Sequence, residues 1–299
     1  ASSAMCGLSE NGKLVKEAAC PTEPEELVKA LNALPGRVVA VGLEAGPLSQ
    51  WLYQHLTEAG FPTVLMETRQ VKGALKAMPI KTDRRDAEGI ARLLQMGWFR
   101  SVHCKSLSAQ EMRALLSSRK AIQQATLSLE LSIRGVLRNF GLKMGQVAKG
   151  RFEQRVLELT DGNPMLEAAT TPILSACRAL RQELAGIEKL LHDHAKSDPV
   201  CRPLMTMPGV GALVALTYKA AIDDPDRFLS SRDVGPWVGL TPRREQSGEQ
   251  PGTRSPMMPA IRKLPDTLSE CVDQIGTREP FLDLARLLQT GQSRFRILR

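Results

Sequence analysis

The sequence predicts an α/β domain, then a long helical hairpin, then a second and mainly α domain. Three observations carry this reading: strand–helix–strand alternation before residue 70, helical apolar spacing from Leu107 to about Lys196, and a Pro-Gly-x-Gly turn at Pro208 that opens into an apolar helix. A chain of 299 residues is long enough for two modest domains, each with its own core.

Taken in order, "SSAMCGLSENGKLVKEA" reads as two strands about an Asn11-Gly12 turn, a strong short-range hairpin signal. "RVVAVGL" (37–43) is a β-branched run that reads as a strand. "PLSQWLYQHLTEAG" follows with helical spacing at Leu48, Trp51, Leu52 and Leu56, and Gly60 stops it. "PTVLME" is a further strand, so the segment is a βαβ unit with parallel pairing. These elements define a domain at 1–104. The hairpin occupies 105–198, where Leu129, Ile133, Val136, Leu137 and Phe140 trace one helical face. The second domain spans 199–249, and 250–299 is a divergent tail interrupted by five prolines.

Forty Lys and Arg against thirty-two Asp and Glu give a net charge of +8, which attracts polyanions. No apolar run approaches the roughly 20 residues of a membrane-spanning helix, and no basic-then-apolar leader opens the chain. The six cysteines are scattered without a Cys-x-x-Cys pair, which argues against a zinc ribbon or a disulfide framework and favours the cytoplasm. His192 and His194, on a polar helix end without a further Cys or His nearby, read as surface residues.

The chemistry concentrates in carboxylates. Glu44 ends the 37–43 strand, where α/β domains place functional groups beyond the carboxyl edge of the sheet. Asp83 and Asp86 lie three apart at a helix start, hence on one side of it, among Lys81, Arg84 and Arg85. Crowded carboxylates repel unless a cation joins them. Hard oxygen ligands in a nucleic-acid setting point to Mg²⁺, and a pair of ions roughly 3.5 to 4 Å apart would clamp a phosphodiester exchange. The simpler reading is that Asp83 caps the helix and Asp86 pairs with Arg84 or Lys81. Between residues 111 and 155 stand nine Lys or Arg against three Glu, with Arg113, Arg119, Lys120, Arg134 and Arg138 as candidate nucleic-acid contacts. On charge alone they would be a solvated face. Pro208, Gly209 and Gly211 would present backbone N–H groups to a phosphate at a helix N-terminus, in the manner of a helix-hairpin-helix, or would be only a turn.

"VGLEAGPLSQWL", "METRQVKGALKAMPIKTDRRDAEGIARLLQMGWFR", "LRNFGLKMG" and "MTMPGVGALVALTYKAAIDDPDRFLSSRDVGPWVGLTPRREQSGE" together resemble the DEDD-type insertion-sequence transposases, kin of the Piv-like DNA invertases. The resemblance runs from about residue 5 to Glu249, with the family's motif order and spacing. It implies a RuvC-like, RNase H-type α/β domain whose four acids bind Mg²⁺, then a helical hairpin and a second catalytic domain. Glu44, Asp83 and Asp86 match the second, third and fourth acids, and Ser247 in "RREQSGE" matches the serine nucleophile, with Arg243 and Arg244 beside it as nucleic-acid contacts. It further implies DNA as substrate (element ends and target), a structured guide RNA from the element, a homo-oligomer, dimer or tetramer, in which acids and serine meet, and a nucleoid-associated place in a bacterial cytoplasm.

The chain departs from that pattern at both ends. The family's first acid lies on an opening strand, ahead of the stretch with which this sequence begins. After Glu249 the family continues with a Gly-Ile-Ser-Lys-like turn and an Ala- and Arg-rich helix, whereas this sequence reads "QPGTRSPMMPAIRKLPDTLSECVDQ". The expectation is a truncated start, a frameshifted and poorly ordered tail, and a chain that does not complete recombination as written. Competing readings are a decayed nucleic-acid-binding relative and a RuvC-type junction nuclease that uses water, which leaves "TPRREQSGE" without a role. A helical scaffold alone would not explain Glu44 with Asp83 and Asp86.

Overall fold

The computed structural model describes residues 1–76, 81–230, 233, 234, 237, 244–246 and 251–253. Arg243, Ser247 and the tail from residue 254 lie outside them, and with them the expectations placed on those residues. The chain divides into two compact units, Ala1–Lys105 and Ser106–Arg299.

In the first unit, β1 (Ser2–Leu8) and β2 (Leu14–Pro21) form the expected antiparallel hairpin, from Ser2 opposite Pro21 to Leu8 opposite Leu14. The turn needs its glycine: Gly12 has φ 73°, and its N–H donates to the Ser9 carbonyl at 2.8 Å. Helix α1 (Pro24–Asn32) starts with proline in its first turn, where the missing N–H costs nothing. Then β3 (Val41–Glu44), α2 (Ser49–Glu58) and β4 (Thr63–Met66) make the βαβ unit, with β3 and β4 parallel from Val41 opposite Thr63 to Glu44 opposite Met66. The strand is shorter than the 37–43 run and reaches one residue further, because the β4 ladder begins only at Val41 and carries through Glu44. Helices α3 (Thr68–Leu75) and α4 (Asp83–Gln95) follow.

Alternation along the strands sorts the side chains into layers. Met5 of β1 and Val41 and Leu43 of β3 join Leu27 and Leu31 of α1 and Leu52 and Leu56 of α2 in one apolar cluster. The alternate face of β3 carries Gly42, which lies against Ile90 and Leu94 of α4. The β1–β2 and β3–β4 pairs are separate two-stranded sheets, and α4 packs against both β1 and β3.

The second unit begins with α5 (Leu107–Asn139), capped by the Ser106 hydroxyl, which accepts from the Ala109 N–H at 3.2 Å. A 3₁₀ turn and α6 (Phe152–Thr160) lead to α7 (Pro164–Ser197), capped by Asn163. Helices α5 and α7 are the two arms of the expected hairpin. One end is closed by Ile133, Leu137, Phe152, Val156 and Leu174, all buried. At the other, Met112, Leu116, Leu191 and Ala195 pack with α8 (Cys201–Leu204) and α9 (Ala212–Ile222). Between these cores the arms are tied by Arg119 to Glu188 and Arg181 to Glu130, each at 2.7 Å. Phe140 was expected on the packed face but is 59% exposed, because α5 ends at Asn139 and Gly141, with φ 74°, turns the chain away. A short antiparallel pair, β5 (Arg244–Gln246) with β6 (Pro251–Thr253), completes the described elements.

Helix α9 is apolar on nearly every side and needs an anchor at its polar end. Asp198 supplies it: the Lys219 ammonium donates to one carboxylate oxygen, and the Val200 and Cys201 N–H groups donate to the other at 2.8 and 3.0 Å. Burial pushes the Asp198 carboxyl up, but Lys219 and the two N–H groups outweigh it and hold the pKa below its ordinary value. The same burial, with Asp198 alongside, pushes the Cys201 thiol up to about 12, so it stays protonated and inert. A depressed carboxyl contributes stability that is present above its unfolded pKa of about 3.9 and is lost as pH falls through the lower folded value. Asp198→Asn is expected to cost about 1–2 kcal/mol at pH 7, since Lys219 keeps part of its ammonium in water. It should also flatten the loss of stability below about pH 4, as read by urea unfolding across a pH series.

Candidate metal and nucleic-acid site

Three candidate ligands stand on two facing surfaces of the first unit. Glu44 is two residues beyond Gly42, so by strand alternation it stands on the side of β3 that meets α4. On α4, Asp86 is one turn before Ile90, and Asp83 lies seven residues before it, so both extend the stripe that touches Gly42. The close approach depends on glycine. A Cβ at residue 42 would sit 3.0 Å from Met66 Sδ and 3.2 Å from Leu94 Cδ2.

Local capping frees the aspartates. The N-cap of α4 is Thr82, whose hydroxyl accepts from the Arg85 N–H at 3.3 Å, so Asp83 is not spent as the cap. Arg84 does not pair with Asp86 but reaches across to Glu17 of β2. Among the described residues no side-chain hydrogen bond or ion pair engages Glu44, Asp83 or Asp86. Lys81 and Arg85 are exposed beside them. Such oxygen-only, uncommitted donors suit a hard divalent cation. Yet among the described residues no three His, Cys, Asp or Glu form a group that could hold a metal ion.

The basic hairpin is less uniform than its charge suggests. Arg119 is committed to Glu188 and to Gln123, and Arg134 donates to the Gly145 carbonyl at 3.0 Å while its guanidinium lies 5.4 Å from the centre of the Phe152 ring. These two hold the hairpin. Arg113 and Arg138 are exposed and, with Lys120, remain candidates for phosphate contact. The Pro208–Gly211 turn is built as expected: Gly209 has φ 81°, the Val210 N–H donates to the Met207 carbonyl, and Gly211 is an N-cap without a side chain. Nothing from the cap residue covers the first N–H groups of α9.

Sequence reasoning passed over Arg227. Its guanidinium lies 4.3 Å from the ring centres of both Phe228 and Trp237, its Nε donates to the Ile222 carbonyl, and its buried Nη2 has no partner. Burial pulls its pKa down, opposed by Asp223 and Asp224. Only the "DRF" step and a tryptophan ten residues after Arg227 mark it in the sequence, too little to single it out.

Comparison with known families matches the first unit to a DEDD-type transposase domain. A model for DEDD transposases of the IS110 type, described as "Transposase", matches residues 1–141, and one described as "Transposase IS116/IS110/IS902 family" matches residues 201–272. Together they cover more than two thirds of the sequence, and the chain belongs to the IS110 family of insertion-sequence transposases. It is 29% identical over 251 residues to the transposase for insertion sequence element IS1111A of Coxiella burnetii, covering 82% of this chain and 67% of that protein. It is 26% identical to the transposase for insertion sequence element IS1328 of Yersinia enterocolitica (75% and 66% covered) and 27% identical to a probable family 20 transposase of Pseudomonas aeruginosa (70% and 63% covered). The matched part of the chain thus spans about two thirds of the length of these relatives.

If Gly42 sets the approach of α4 to β3, Gly42→Val should cost about 1–3 kcal/mol by overpacking. Gly42→Ala should cost less than about 1 kcal/mol, because Met66 and Leu94 can swing their flexible ends. Denaturant unfolding of the two variants reads the difference.

Proposed function

We propose that this chain is the strand-cutting and strand-joining protein of an insertion sequence, with DNA as its substrate. The observation that carries the reading is the placement of Glu44, Asp83 and Asp86, unpaired, on facing surfaces of β3 and α4 amid Lys81 and Arg85. Family membership supports an RNase H-like, RuvC-like arrangement for the first unit. Glu44, Asp83 and Asp86 would hold Mg²⁺, as two ions, which would supply charge neutralisation of the carboxylates and polarisation of a scissile phosphate.

Ser247 is the proposed nucleophile. Its hydroxyl oxygen forms a bond to the scissile phosphorus as the bond to the 3′ oxygen breaks, leaving a serine-linked 5′ phosphate and a free 3′ hydroxyl. Attack by a partner strand's 3′ hydroxyl on that phosphoserine restores the diester and the serine. Arg243 and Arg244, close to Ser247 in sequence, would hold flanking phosphates. A structured guide RNA and a dimer or tetramer belong to the same proposal, the oligomer bringing acids and serine together.

With Mg²⁺, guide RNA and donor DNA supplied, Ser247→Ala should abolish the covalent protein–DNA adduct, and Glu44→Gln or Asp86→Asn should lower its rate by about a hundredfold or more. Adduct-free cleavage that survives Ser247→Ala would instead indicate a water-using nuclease. Nucleic-acid affinity should fall steeply with salt. Arg113→Ala and Arg138→Ala should each reduce the log–log salt slope by about one while leaving the fold intact, whereas Arg119→Ala should chiefly loosen the hairpin. Filter binding across a salt series, with thermal unfolding alongside, separates these outcomes.

A further inference from the structure

Helix α4 presents a second stripe besides its apolar one. Arg84, Glu88, Arg92 and Gln95 follow at steps of four, four and three residues, so they line one side of the helix. Both ends of this stripe are bonded to the β1–β2 hairpin. At the first turn, Arg84 pairs with the carboxylate of Glu17 on β2, whose side chain is only 17% exposed. At the last turn, the Gln95 amide donates to the Ser9 and Glu10 carbonyls at 3.1 and 2.8 Å, matching the two N–H groups it carries. Between them Glu88 is taken by Arg92 of the same helix at 2.6 Å. Apolar contact is non-directional, so Ile90 and Leu94 against Gly42 choose the face that α4 presents and leave its level along the axis loose. Hydrogen bonds are directional and short-ranged, and anchors at both ends of one helix allow a single level.

We propose that Glu17, Arg84 and Gln95 are positioning residues that clamp α4 at both ends, fix its axial level over the hairpin, and so set the height of Asp83 and Asp86 relative to Glu44. The clamp has this purpose only if those three acids act as proposed above. Arg84 stands between the two aspartates in sequence, so its tether to Glu17 acts on the very turn that carries them. An ion pair with one exposed partner adds little stability, yet a shift of reacting groups by about 1 Å can cost on the order of a hundredfold in rate. The pair therefore governs position where it hardly affects stability. It also divides two neighbouring arginines: Arg84 serves the acids, and Arg85, exposed beside it, is left for phosphate.

The test measures Mn²⁺ binding to the full chain by electron paramagnetic resonance, with Mn²⁺ in place of Mg²⁺. Glu17→Gln, Arg84→Gln and Gln95→Ala should each weaken it by about tenfold, and Glu17→Gln combined with Arg84→Gln should be no worse than either alone. Arg84→Lys, which still reaches Glu17, should recover most of the loss. The thermal midpoint should fall by no more than about 4 °C in each variant. The sign of the Arg84→Gln effect discriminates: removing a positive charge beside two carboxylates would by field alone strengthen cation binding, whereas a loosened clamp weakens it. Gln95→Ala alters no charge and lies about 16 Å along the helix from Arg84, so its effect reaches the acids only through the level of α4. The proposal is overturned if Arg84→Gln strengthens Mn²⁺ binding or lowers the log–log salt slope of nucleic-acid binding by about one, or if Gln95→Ala leaves Mn²⁺ affinity unchanged. Glu44→Gln and Asp86→Asn are measured beside them: if neither weakens Mn²⁺ binding, the role of the acids themselves fails, and the clamp with it.

Discussion

Helix α4 lies across two strands that are not bonded to each other, and most of the first unit depends on that contact. It requires Gly42, since any side chain there would push against Met66 and Leu94. It requires the apolar stripe of Ile90, Leu93 and Leu94, which joins Met66 and Val71 beneath. Because a helix repeats every 3.6 residues and a strand every two, fixing one contact fixes what lies beyond it on both elements. The contact of Ile90 with Gly42 sets the register in which Asp83 and Asp86 precede it on α4 and Glu44 follows it on β3. The acids thus inherit their placement from a hydrophobic contact that has no chemistry of its own.

The second unit uses its charges in two ways. Some arginines are structural: Arg119, Arg134, Arg178 and Arg181 answer Glu188, the Gly145 carbonyl, Glu153 and Glu130. Others, Arg113 and Arg138 among them, remain on the surface. Net charge cannot distinguish the groups, because both contribute equally to the sum. Which arginine faces a glutamate on the opposite arm depends on the register of α5 against α7, and that register is set by the apolar ends.

Much of this was legible in the sequence where a local rule suffices. Asn11-Gly12 specified its hairpin, the run from Pro47 to Gly60 its helix, and the 208–211 stretch its turn. The strand at 37–43 was displaced toward Glu44 because strand limits follow from the partner, and no propensity of Arg37 or Val38 reports where β4 begins. The stripe on α5 was correct at Ile133 and Leu137 and failed at Phe140, one residue past the end of the helix. At the site, the spacing of Asp83 and Asp86 was readable, but that Thr82 would take the cap and Glu17 would take Arg84 was not, since Glu17 lies 67 residues away in sequence. Arg227 was missed for the same reason: its sandwich depends on Trp237, brought near only by the fold.

The α5–α7 hairpin is closed at both ends by apolar cores and tied across its middle by Arg119–Glu188 and Arg181–Glu130. Both pairs are part-buried, with Arg119 and Glu130 the more covered partners, so dissolved salt screens them less than it would pairs on the open surface. The middle of the hairpin is held by charge where its ends are held by apolar packing, and α5 keeps one register against α7 from end to end as ionic strength changes.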